Sequence, residues 1–441
     1  MKIKLRHLLE NRTNLFKLLL ADEDLSELLQ RFYKLETCDE TQQSSKSADD
    51  YCLEHFRDTH QRDRHGRYYV RHPFSHLKER LGDSRAMATK RFLSLERRLD
   101  KEPEMKQQYA SFMREYESLV HMRAITVGDD AETNCAYYIP HHCVVKPTSS
   151  TTKLRVVFDG SVASSTGVAL NDILLSGPNV QNDLLSILLN YRSYQYVFTV
   201  DAVKMFRQVG VLSPDTAYQR IIWRYNRNES LKVYELLTVT YGLTSSPFQA
   251  TMALRQASED HQHELPQAAK VIKRSTYMDD VIAGAHSIQE ACALQQEVSG
   301  LLAKGCFGTH KWCANHPGIL QHVDDELRGT NFKLSDINSN VIKTLGVVWN
   351  PSEDWFSFSV MPANSEANTK RKILSEVAKI YDLLGLVGPI VTVAKLILRE
   401  VSLLSVDWDE PVPQNIIRKW RCFRDELMCL NKLRVPRWIS S

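Results

Sequence analysis

Residues 277–280 read Tyr277-Met278-Asp279-Asp280, and two adjacent carboxylates demand positive charge. Like charges side by side raise one another's pKa, so a fold that keeps both ionised sets a counter-ion beside them. Mg2+ suits the task, because it is held by one or two carboxylates together with substrate phosphates. The flanking runs 271–276 and 281–285 carry β-branched residues and predict two strands joined by a tight turn. A third carboxylate, Asp201, ends the run Tyr196-Val197-Phe198-Thr199-Val200, which predicts a buried strand. Residues 202–209 then predict a turn into a short helix. Three carboxylates can bridge two metal ions about 3.5–4 Å apart, activating an attacking oxygen and stabilising a leaving one in phosphoryl displacement. Alone, either motif reads equally as a strand-end aspartate or a solvated turn. Together they predict a centre for two Mg2+ ions, with Mn2+ able to substitute.

These acids sit within an ordered series of segments. Pro140-His141-His142-Cys143-Val144-Val145-Lys146-Pro147 comes first, then Lys153-Leu154-Arg155-Val156-Val157-Phe158-Asp159-Gly160-Ser161. Val200-Asp201 with Met205-Phe206 follows, then Tyr241-Gly242-Leu243-Thr244-Ser245-Ser246-Pro247-Phe248. After the double aspartate stand Lys311-Trp312 and Leu345-Gly346-Val347-Val348-Trp349. In this order and spacing the chain resembles the reverse transcriptases of LTR retroelements, most closely the polyproteins of BEL/Pao-type retrotransposons, over roughly residues 135–360. The resemblance implies an α/β right-hand polymerase with fingers interleaved with a palm. It implies RNA-directed DNA synthesis on a primer 3′-hydroxyl, with an RNA or DNA template and deoxynucleoside triphosphates as partners. Asp201, Asp279 and Asp280 would be the metal ligands.

The surrounding residues have their own chemistry. Lys153 and Arg155 alternate along a strand and so share one face. Arg binds phosphate as a fork and Lys as a point charge, so the pair suits a triphosphate. By resemblance they lie on a fingers hairpin closing over the incoming nucleotide, with Lys146 as a helper. The bland alternative is an exposed strand face with solubilising charge. Phe206, five residues after Asp201, would by resemblance lie under the nucleotide sugar and exclude a 2′-hydroxyl. Without the resemblance a buried ring is simply core. Gly242 and Ser246-Pro247 predict a turn into a helix. The resemblance adds Tyr241, Gly242 and Met278 to the nucleotide site, the glycine letting backbone approach nucleotide and template. Tyr241 stands where retroviral enzymes carry Gln and retrotransposon relatives often carry an aromatic. Lys311 matches a family lysine near the leaving pyrophosphate, where proton donation is worth roughly 10²–10⁴-fold. Residues 345–349 resemble a hairpin gripping the primer end, with a turn at 350–354 and a return strand in Trp355-Phe356-Ser357-Phe358.

Other chemistries fit less well. Cys306, His310, Cys313 and His316 lack the paired spacing of structural zinc sites. No Walker loop, dinucleotide-binding glycine turn or His-Glu-x-x-His box occurs. Asp159-Gly160-Ser161 places its glycine wrongly for an aspartic protease. The 441 residues predict about three folding units, and 43% hydrophobic residues suffice for a core. A formal charge of +3 announces no global attraction to nucleic acid. Lys146, Lys153, Arg155, Lys204 and Arg207 supply a local one, which would make binding salt-sensitive.

The elements that must position the site divide the chain into 1–125, 126–360 and 361–441. The first is expected to be a helical extension, with helices over 1–35 and 84–122 and a polar linker at 36–50. Whether residues 84–122 extend the fingers or form a separate pad stays open. The last is expected to be thumb- or connection-like, with a helix over 370–382, a break at 383–389 and a second helix over 390–404. Relatives often carry a Pao peptidase label there, but no nucleophile, metal set or paired aspartates support proteolysis. No ribonuclease H acid cluster or integrase triad is apparent, so protease, ribonuclease H and integrase domains are expected as partners outside this chain. Nine cysteines without a CxxC pair suit a reducing compartment. No run approaches a membrane span of about 20 residues. A cytoplasmic location is expected, extending to virus-like particles or the nucleus. Two alternatives stand beside the polymerase: a decayed or domesticated element that binds nucleic acid without turnover, and a protease-associated polyprotein segment.

Overall fold

The computed structural model describes residues 46–125, 136–145, 154–329, 342–344, 347–360 and 367–439. The helical expectation for 1–35 and the residues Lys146 and Lys153 lie outside this set, as do Leu345 and Gly346. The chain divides into two compact units, Met1–Tyr51 and Cys52–Ser441. Of the first, only the opening of the helix Lys46–Thr59 is described. The polar run 36–50 is therefore no linker over its last five residues.

The second unit is mixed α/β. Its centre is a four-stranded antiparallel sheet in the order Thr276–Tyr277, Asp280–Ala285, Tyr196–Ala202, Thr309–Ala314. Side chains alternate across it. Phe198, Val200, Ala202, Val281, Ala283 and Ala285 join one core, shared with Ala253 and Leu254 of helix Ser246–Asp260 and with Val298, Leu301 and Leu302 of helix Ile288–Lys304. Val197 and Ile282 point the other way, into a cluster with Ile187, Leu188, Tyr191, Trp349 and Phe356. By the same parity Asp201 and Asp280 belong to this second face. The two acids thus emerge on the side away from the long helices.

A β-branched run was expected to enter the double aspartate as a strand. Residues Pro266–Arg274 are instead helical, with Pro266 opening the helix and Ala268, Ala269 and Ile272 buried. Only Thr276–Tyr277 remain extended before the turn. The β-branched side chains were core positions of a helix face.

The expected boundary at residue 125 crosses paired strands. Met122–Ile125 pairs with Lys232–Leu236, which pairs with Arg220–Trp223. Tyr68–Val70 lies parallel to Gly210–Val211. The long helical pattern of 84–122 is two helices, Arg85–Leu99 and Pro103–Ser118, the second started by its proline. Tyr109, Met113 and Tyr116, spaced four and three apart, bury its inner face. Residues from Cys52 onward therefore fold as one unit with the central sheet rather than as an appended extension.

The hairpin His141–Val145 with Leu154–Phe158 forms as expected, its tip lying outside the described residues. At the other end, Ile342–Thr344, Val347–Asn350 and Trp355–Ser357 form a meander, and Val435–Pro436 returns to pair with the last of these. Between them stand helices Lys370–Val377, Gly388–Ser402 and Gln414–Leu427, the third not foreseen from sequence. Arg437 fixes this return. It is fully buried. Its Nε and Nη2 donate to Asp354 at 2.7 and 2.8 Å, and its remaining N–H groups go to the carbonyls of Tyr191, Tyr194 and Gln195. Every guanidinium donor is used, which is what allows a buried charge. Removing one partner of such a pair strands the other. Arg437→Met is therefore expected to cost about 3–5 kcal/mol of unfolding free energy. Urea denaturation checks this, and a loss within about 0.5 kcal/mol, the usual range for neutral surface changes, would refute the clamp.

Candidate active site

The site is built on backbone register. Asp280 lies directly opposite Asp201 across the antiparallel pair, and Val281 opposite Val200. Such facing residues hold their Cβ atoms about 4.5–5.5 Å apart on one side of the sheet. Asp279 is in the turn between Tyr277 and Asp280, which pair with each other. Its carbonyl accepts from the Ala202 amide at 2.8 Å, so the turn is tied to the strand end carrying Asp201.

The turn needs a left-handed residue, and Met278 supplies it with φ +53°. A non-glycine residue there is strained. Gln181 holds it: its side-chain oxygen accepts from the Met278 amide, and its side-chain nitrogen lies 3.4 Å from the Met278 sulfur. Sequence reasoning did not find Gln181, because its role arises from a contact 97 residues away.

Lys311 comes to the same place. The strand Thr309–Ala314 pairs with Tyr196–Ala202, but the register slips between His310 and Cys313. Lys311 sits in this irregularity with φ +56°. Its ammonium donates to Asp201 Oδ2 at 2.8 Å. His310 adds a second cationic candidate, with Nδ1 3.5 Å from Asp201 Oδ1. The structure thus brings together Asp201, Asp279, Asp280, Met278 and Lys311, and adds His310 and Gln181.

Charge is unevenly balanced across these acids. Partial loss of water raises the Asp279 carboxyl above its ordinary value, and the charge of Asp201 raises it further, while Lys311 and His310 work against the rise. The hard oxygen donors suit Mg2+ and not a soft-ligand metal. As the side chains stand, no three His, Cys, Asp or Glu groups among the described residues gather to hold a cation. Asp201 is turned towards Lys311 and His310 instead.

The remaining sequence-derived residues flank this centre. Phe206 is half-buried in the one-turn helix Met205–Gln208 and packs against the main core. Tyr241 packs its ring 5.3 Å from that of Phe158, and burial pushes its hydroxyl pKa up to about 12. Gly242 has φ +96°, and a Cβ there would lie 2.0 Å from the Phe158 carbonyl oxygen. The glycine therefore admits the backbone of the first hairpin, a contact that the sequence did not announce. Asn171 secures this crossing by donating to the Gly242 carbonyl at 3.1 Å and accepting from the Thr244 amide at 3.0 Å. Arg155 is exposed on the hairpin strand.

A family model described as a Pao retrotransposon-like RNaseH-like domain matches residues 369–441. No curated protein matches the chain. Among solved structures, one titled as the foamy viral protease-reverse transcriptase dRH in complex with ds DNA is similar. It has a TM-score of 0.46 and 14% identity, covering 71% of this chain and 46% of that one. The chain thus spans less than half the length of that structure.

The family match falls on the segment expected to be thumb- or connection-like. Its description is ribonuclease-H-like, where a peptidase label was expected, and a segment so described lies inside the chain rather than outside it. Carboxylates there serve the fold: Asp382 accepts from the amides of Leu386 and Val387, Glu376 from the Trp420 indole, and Asp409 from Arg371. Among the described residues no helix is long and apolar enough to cross a membrane.

The raised Asp279 pKa has a consequence for stability. A carboxyl that holds its proton more tightly when folded favours the fold below the ordinary value of 3.8 and loses that contribution as pH rises through the folded value. Asp279→Asn removes the unfavourable charge. In metal-free buffer its melting temperature is expected to exceed that of the native chain at pH 7, the gain shrinking as pH falls towards 3.8. Asp279 keeps solvent access, so the gain is small. A variant less stable at pH 7 than the native chain would overturn this account.

Proposed function

We propose that the chain is an RNA-directed DNA polymerase of the retrotransposon type, adding deoxynucleotides to a primer 3′-hydroxyl. The observation that carries the reading is the register placing Asp280 opposite Asp201 with Asp279 in the adjoining turn. Sequence order alone could not guarantee that Asp201 and Asp280 share one sheet face with Asp279 at the same sheet end.

In this reading Asp201, Asp279 and Asp280 hold the metal ions. When bound, a pair of Mg2+ ions would lower the pKa of the primer hydroxyl and neutralise charge on the triphosphate. Lys311 balances Asp201 in the structure and is the candidate proton donor to the leaving pyrophosphate. Arg155, with Lys153, is assigned to the triphosphate, and Tyr241, Gly242 and Met278 to the wall of the nucleotide site. Phe206 is assigned as the gate against a 2′-hydroxyl. The template–primer duplex is read by shape and backbone, so copying is sequence-general. Residues 361–441 act as a thumb-like support, and any protease or integrase function lies with other domains of a polyprotein. Turnover-free binding by a decayed element gains nothing from the intact acids. The protease-associated alternative gains nothing from the family description.

Mg2+-dependent primer extension on an RNA template tests the reading. Asp279→Asn is expected to abolish extension while sparing duplex binding measured by anisotropy. Extension surviving that change would remove the metal assignment. Lys311→Ala is expected to slow single-turnover incorporation by roughly 10²–10⁴-fold if it donates the proton. Phe206→Ala is expected to admit ribonucleotides, and unchanged sugar discrimination would exclude the gate.

A further inference from the structure

Phe206 is the second residue of a four-residue helix, Met205–Gln208. A single helical turn does not hold its own shape, because nucleation costs more than one turn returns. The entry residue, Lys204, has left-handed backbone, with φ 50° and ψ 42°, which a lysine adopts only under constraint. Contacts from outside the turn must therefore fix it.

The charged ones come from upstream, and from two sides. Glu115, on the helix Pro103–Ser118, binds the Lys204 ammonium, and Arg207 Nη1 lies 3.1 Å from the same carboxylate oxygen. Arg207 is buried over the Tyr116 ring at 4.0 Å, and its Nε donates to His121 Nδ1 at 2.8 Å. Burial and the Arg207 charge hold His121 down to a pKa of about 4, so it stays a neutral acceptor. On the other side Arg67 donates to the carbonyls of Gln208 and Arg207 at 2.9 and 2.8 Å. These are the carbonyls a helix end leaves unpaired. Arg67 is itself anchored, since the adjoining strand Tyr68–Val70 pairs with Gly210–Val211 just beyond the turn.

We infer that the upstream elements between Arg67 and His121 set the position of Phe206, with Glu115 and Arg67 as positioning residues that brace the turn Lys204–Gln208 from opposite sides. The consequence for sugar selection rests on the polymerase reading and deepens it. The residues on both flanks of Phe206 are tied to upstream elements, so loosening either tie lets the ring shift. In a positioned site a displacement of about 1 Å can cost on the order of 10²-fold.

The test uses the full chain with Glu115→Gln, Arg67→Met and the conservative Glu115→Asp. Two readings are taken: hydrogen exchange of the amides at 204–209, and the ratio of kcat/KM for deoxy- over ribonucleotide on a primed RNA template. Glu115→Gln and Arg67→Met are expected to speed exchange in that stretch and to lower the ratio by about tenfold or more. Glu115→Asp is expected to restore most of both. A Glu115→Gln protein that melts like the native chain, with exchange and ratio unchanged, would overturn the brace. If that variant does not fold, Arg67→Met decides by the same readings. If the native chain extends no primer, the polymerase reading and the claim on sugar selection fall together, and exchange alone decides the brace.

Discussion

One antiparallel register governs the candidate site. If the pairing of Asp280–Ala285 with Tyr196–Ala202 slipped by one residue, Asp280 would move to the helix-covered face, among Phe198 and Val200. The alternation of buried residues prevents this. Val281, Ala283 and Ala285 fill one core, and Ile282 fills the other. The apolar residues of two strands thereby decide where two acids emerge. Gly284, opposite Val197, strengthens the choice, since a Cβ there would lie 2.6 Å from the Tyr194 side chain.

A site of this kind works against the stability of the fold that carries it. The charges of Asp201 and Asp279 repel at one sheet end, and Met278 and Lys311 take left-handed backbone. The compensation is local. Gln181 satisfies the strained Met278 amide, and Lys311 reaches Asp201 from the irregular strand beside it. The same irregularity that strains Lys311 aims its ammonium, because a regular strand would turn successive side chains to opposite faces. Strain and charge balance are thus one feature, and a cation arriving at Asp201 must displace the lysine or share the carboxylate with it.

Much of this was legible in the sequence where a short-range pattern carried it. The strand ending on Asp201, the tight turn at Met278-Asp279, the proline-started helix after Gly242 and the alternating strand that carries Arg155 follow from local periodicity and turn chemistry, whereas the hairpin of that strand was implied by resemblance. The strand expected before the double aspartate was a helix, because Ile272 lies four and three residues after Ala268 and Ala269 and buries with them on one helix face. Gln181, Asn171, Glu115 and Arg67 were not legible. Each acts through a contact 70 or more residues away, and none carries a local pattern. Lys311 was visible only through resemblance, since a lone lysine is ordinarily a surface charge.

The C-terminal segment poses a different problem of boundaries. A match confined to residues 369–441 invites a cut before it. The structure argues against treating the segment as free-standing. Its last strand, Val435–Pro436, completes a sheet begun before residue 360, and Arg437 supplies the only full-length guanidinium fork seen on Asp354 among the described residues. Asp354 also accepts from the Trp349 indole and from Asn315, which caps the central strand by accepting the Val197 amide. A chain of polar contacts therefore runs from Arg437 through Asp354 and Asn315 to the start of the strand that carries Asp201. Losing the C-terminal strand would leave a partly buried carboxylate without its counter-charge at the foot of the central sheet. The helices between would lose their return anchor in the same step. Whatever the segment contributes to chemistry, its first physical effect is to close the fold that holds the acids.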